Sequence, residues 1–89
     1  MNVKIVYKDL KDKEFLDKIN LETPIFIEYI DVNTKKGKGE GWKIMNYYGT
    51  QTFPFIEVET DEGKLLPFYS ERGNAIGQLI NYLNNDCKN

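Results

Sequence analysis

The chain of 89 residues contains no histidine and a single cysteine, Cys87, close to its C-terminus. Without histidine, zinc sites of the usual ligand sets and histidine-based catalytic triads are excluded. With one cysteine no intrachain disulfide forms, and that usage fits a reducing compartment, with the cytoplasm as the default location. No apolar run approaches the roughly 20 residues that span a bilayer, so no membrane role is expected. Val3, Ile5 and Val6 alternate with Lys4 and Lys8 near Met1, so no signal peptide is expected either. An excess of positive charge is also missing: the net charge is −2. Binding to nucleic acid depends on a basic field that neutralises phosphates, so a dedicated nucleic-acid role is disfavoured.

What is present suits one domain spanning residues 1–89. Hydrophobic residues make up 40% of the chain and aromatics 13%, enough for a small core. Val3 to Tyr7 is an apolar, β-branched run that predicts a central strand buried on both faces. Phe15, Leu16 and Ile19 at helical spacing predict a short amphipathic helix from about Asp12 to Asn20. Thr23-Pro24 ends that unit, and Ile25 to Val32 reads as a second strand, which implies a parallel crossover.

Asn33 to Gly41 carries three glycines and no apolar residue, so it reads as a connecting loop. Trp42, Met45 and Tyr48 mark a second helix, closed by Gly49 in the left-handed conformation. Phe53 to Val58 and Lys64 to Tyr69 read as two strands joined at Asp61-Glu62-Gly63. Pro67 places the last of them at a sheet edge. A final helix starts near Asn74, with Ile76, Leu79, Ile80 and Leu83 on one face.

Three groups of residues invite a functional reading. Lys35, Lys36 and Lys38 concentrate positive charge on the glycine-rich stretch. They form either a solvated connector or a contact for an anion, an acidic protein surface or nucleic acid. The phosphate-loop spacing is absent, and Glu40 would oppose a phosphate. Glu57 and Glu59 share one strand face near Asp61 and Glu62, which a solvated acidic side explains without catalysis or metal binding. Adjacent Tyr47 and Tyr48 point to different sides of their helix, so one packs and the other is exposed.

The order strand, helix, strand, helix, two strands and helix resembles the minimal thioredoxin or glutaredoxin arrangement, βαβαββα, over nearly the whole chain. Val6-Tyr7-Lys8 looks like the end of a glutaredoxin first strand. Tyr48-Gly49-Thr50-Gln51-Thr52-Phe53-Pro54-Phe55-Ile56-Glu57-Val58 is similar to the thioredoxin stretch that carries the cis-proline. The resemblance implies an α/β fold with a four-stranded mixed sheet flanked by three helices, and a cis bond before Pro54. It also implies that Thr52, Phe53 and Pro54, with Asp9 and Leu10 nearby, form a contact surface for a protein partner. The bland alternative is that Pro54 only opens a strand and Phe53 belongs to the core.

Where the family carries its redox cysteines, this chain reads Lys8-Asp9-Leu10-Lys11-Asp12. Thiol exchange needs a thiolate at the start of the first helix, and Cys87 follows the last one. The expectation is a redox-inactive, non-catalytic protein without a cofactor or metal, acting by protein contact as an adaptor, inhibitor or structural subunit. Its small size and lysine-rich composition suit a bacteriophage or mobile-element protein, in a host cytoplasm or a virion. The alternatives are a thiol–disulfide or glutathione-dependent oxidoreductase and nucleic-acid binding through Lys35 to Lys38.

Overall fold

In the computed structural model, which describes residues 1–18, 25–69 and 74–86, the apolar run at the start of the chain is strand β1 (Asn2–Tyr7). It lies inside a four-stranded sheet of order β2-β1-β3-β4, with β2 at Phe26–Asp31, β3 at Phe55–Glu59 and β4 at Leu65–Phe68. β1 is parallel to β2 and antiparallel to β3, and β4 is antiparallel to β3. The sheet is therefore mixed and open, and three helices pack on it. Pro67 sits on the edge strand β4, where its missing N–H removes nothing from an interior ladder. Ile19, Thr23, Pro24 and Cys87 lie outside the described residues. Among the described residues no helix is long and apolar enough to cross a membrane.

Alternation along the strands sends side chains to two distinct cores. Val3, Ile5, Ile56 and Val58 face helices α1 (Leu10–Lys18) and α3 (Ala75–Asn81), and they pack with Leu16, Ala75, Ile76, Leu79 and Leu83. The register Val3↔Val58 and Ile5↔Ile56 sets these four side by side. Leu83 belongs to a π-helical turn, Tyr82–Asp86, that extends α3. Val6, Ile30 and Phe55 face the other way and meet Ile44 of helix α2 (Lys35–Tyr48) together with Tyr69.

Helix α2 corrects the expectation of a loop at Asn33 to Gly41: Lys35, Lys36 and Lys38 lie in its first turns. The start is fixed by an aspartate turn just ahead of the helix and by the Thr34 cap on it. The Asp31 carboxylate accepts from Asn33 N–H at 2.8 Å, and Thr34 Oγ1 accepts from Gly37 N–H at 3.0 Å. Glycine here serves close approach instead of breaking the helix. A Cβ at Gly37 would run into the Asp31 carbonyl, whereas one at Gly41 would make ordinary contacts 3.6 Å from the Phe53 ring and 3.7 Å from Val32. The packed face is Gly37, Gly41, Ile44 and Tyr48, whereas Trp42 and Met45 are exposed. Gly49 closes the helix at φ +73° with its N–H on the Met45 carbonyl, as its lack of a Cβ allows.

Two boundaries also move. α1 begins at Leu10, before Asp12, because the Asp9 carboxylate accepts from Lys11 N–H at 2.9 Å and so caps the helix. β3 begins at Phe55, which leaves Thr52, Phe53 and Pro54 ahead of the ladder.

Candidate functional site

The register Val6↔Phe55 sets the end of β1 beside the start of β3. Asp9 and Leu10 follow β1, and Thr52, Phe53 and Pro54 precede β3, so the two segments arrive at the same end of the sheet. The Phe53-Pro54 peptide bond is cis. Thr50 is buried, and its hydroxyl lies 3.3 Å from that of Thr52, which ties the connector to itself. Phe53 is half-buried and packs with the α2-side core against Gly41 and Val32. Asp9 is engaged as the cap of α1. Leu10, by contrast, is 57% exposed.

Helix α2 crosses the sheet with two unlike flanks. On one, Lys36 pairs with Glu28 of β2 at 2.6 Å and Glu40 pairs with Lys4 of β1 at 3.4 Å. Lys36 thus holds its proton more firmly than usual, and Glu28 gives its own up, through their shared hydrogen bond first and their opposite charges second. The opposite flank carries Lys38, Trp42 and Met45 at positions i, i+4 and i+7, which align on a helix. Trp42 is 69% exposed and Met45 47%.

Beneath the second half of α2, on its Glu40 flank, lies a cavity of about 420 Å³. The helix meets the end of β2 through glycine but meets β3 through Ile44 and Tyr48, and the larger side chains hold it off the sheet there. Val6, Ile44, Phe55 and Leu65 form the apolar wall. Tyr48 Oη donates to Glu57 Oε2 at 2.7 Å. Partial burial raises the Tyr48 pKa well above its ordinary value, and the Glu57 carboxylate adds to the rise. The phenol is therefore a fixed donor. Tyr47, 78% exposed, stands edge-on to Tyr48 with centroids 4.9 Å apart. This is the expected division between a packed and an exposed tyrosine.

The cavity was not foreseen from sequence, where Glu57 read only as one residue of a solvated acidic side and Tyr48 as a packing ring. Nothing in residue spacing signals it, because it depends on the angle at which α2 crosses the strands. Among the described residues no three histidine, cysteine or acidic side chains gather as a metal site. Compared with known proteins, the chain matches no family model, no curated protein and no solved structure.

Proposed function

We propose that this chain is a redox-inactive domain of thioredoxin-like architecture that works by binding another protein. The element order and the sheet order β2-β1-β3-β4 are compatible with that architecture, and the segment in the place of the redox cysteines offers a helix cap instead of a thiol. The observation that carries the reading is the exposure of Leu10, at the same end of the sheet as the Thr52 to Pro54 connector, and of Trp42 and Met45 along one flank of α2. Large apolar side chains left in water on a small domain mark contact surfaces, and Trp and Met are enriched there. Phe53 contributes by supporting Gly41 from below. It is an anchor for the surface and only partly a member of it.

The test is capture of partners by the tagged protein from its native cells, with Trp42→Asp and Leu10→Asp in parallel. Both side chains are exposed, so these variants keep the core intact. Loss of a partner that the unaltered protein retains, with affinity reduced by about 30-fold or more as for a central anchor, supports the reading. A partner retained by both variants moves the interface elsewhere.

A further inference from the structure

We infer that the cavity under the second half of α2 binds a small organic cation, an apolar ring or short chain bearing one ammonium group that pairs with Glu57. The site lies on the flank of α2 opposite Trp42 and Met45, so the inference does not rest on the protein-binding reading. Its volume of about 420 Å³ falls in the range of small-molecule sites, which combine apolar walls with a few placed polar groups.

Charge decides the class of occupant. Two carboxylates and two ammonium groups line the cavity, and they are unevenly matched. Glu40 takes both cations, Lys4 at 3.4 Å and Lys43 at 3.9 Å. Lys4 is also the cross-strand neighbour of Glu57, yet it turns to Glu40. Glu57 on its other side faces Pro67, which has no charge to offer. Among the described residues Glu57 forms no ion pair, and its one hydrogen bond comes from the neutral Tyr48 phenol.

A carboxylate held by one oxygen at the wall of an apolar cavity is incompletely compensated once water leaves. An ammonium supplies the missing charge and donates to the other oxygen. Tyr47, Tyr48 and Phe55 pack on one another at centroid distances of 4.9 and 5.0 Å and make one aromatic side of the cavity, where the exposed Tyr47 ring favours a cation. An anion would meet Glu57 directly. A neutral apolar molecule would strip its water and return nothing.

The experiment is a titration of isotope-labelled protein, followed by backbone amide shifts, with three probes of nearly equal shape: phenethylammonium, 2-phenylethanol and phenylacetate. Saturable shifts centred on Ile44, Tyr48, Phe55 and Glu57 with phenethylammonium are expected. The alcohol binds about tenfold more weakly or worse, as for loss of a charge-assisted bond, and the anion does not bind. Glu57→Gln retains an oxygen for Tyr48 and weakens phenethylammonium by a similar factor while leaving the alcohol unchanged. Equal binding of the alcohol, indifference to Glu57→Gln, or no saturable shift at these residues overturns the inference. Should Glu57→Gln lower the melting temperature, the three probes on the unaltered protein decide alone.

Discussion

On one face of the sheet, Val3, Ile5, Ile56 and Val58 meet five buried apolar residues from α1, α3 and the turn that follows. On the other, Val6, Ile30 and Phe55 meet a single helix that brings two glycines and Ile44. The first face is closed over by branched side chains and carries most of the apolar burial. The second is held by a close backbone approach at one end and by Tyr48 and Glu57 at the other, with an open wedge beneath. Four strands of one sheet thus serve two ends: one side secures the fold, and the other leaves surface for contact. Concentrating burial on one face is what permits polar residues such as Lys4, Glu28 and Glu57 on the other.

The comparison breaks most sharply at Leu79, which is fully buried on the closed face. Leu79→Ala is expected to cost about 3 kcal/mol in denaturant unfolding, since a large cavity replaces the side chain. A cost below about 1 kcal/mol would show that face to be no better packed than the other.

The next effect separates two glycines within α2. Gly37→Ala forces a methyl group into the Asp31 carbonyl and is expected to cost about 2 kcal/mol through displacement of the helix. Gly39 has open space where a Cβ would go, so Gly39→Ala stabilises the protein by about 0.5–1 kcal/mol through helix propensity and a less free unfolded chain. Melting curves of the two variants should move in opposite directions. A matching pair of shifts would remove close approach as the reason for glycine at position 37.

The smallest effect sharpens the open face. Tyr48→Phe removes the bond to Glu57 and is expected to cost about 1 kcal/mol at neutral pH. Its pH dependence has a definite sign. The phenol holds its proton more firmly folded than unfolded, so its contribution is whole below the ordinary value of 10.0 and is lost as pH rises above it. Tyr29, pushed up to about 12 by burial first and Asp17 second, loses its contribution over the same approach to high pH. Stability measured against alkaline pH should therefore fall less steeply in Tyr48→Phe, with Tyr29 and Lys36 contributing to the remaining slope. An unchanged slope would contradict the Tyr48 assignment.

Much of this was legible in the amino-acid sequence. The β-branched run at Val3 to Tyr7 and the edge position of Pro67 follow from side-chain shape and from a missing donor. The packed and exposed roles of Tyr47 and Tyr48 follow from helical geometry. The first half of α2 was hidden because glycine weakens an isolated helix, and the need for glycine at 37 shows only against the Asp31 carbonyl. The caps at Asp31 and Thr34 were the available signal. Trp42 marked the helix by its spacing, but spacing alone does not say which large ring stays in water, and here Trp42 does. The cavity depends on how two elements cross, which no local pattern encodes.

The pairing of β1 with β3 joins what are otherwise two separate pieces of chain. Residues before the Thr50 to Pro54 connector supply β1, α1, β2 and α2; those after it supply β3, β4 and α3. Each core is divided across that seam, with Ile5 against Ile56 in one and Val6 against Phe55 in the other. Neither piece owns a complete interior, so the two are expected to fold and unfold as one unit. A chain cut in the connector would leave two fragments, each holding half of both cores and one edge of the β1–β3 ladder, and reassociation of the two is the expected route back to the structure.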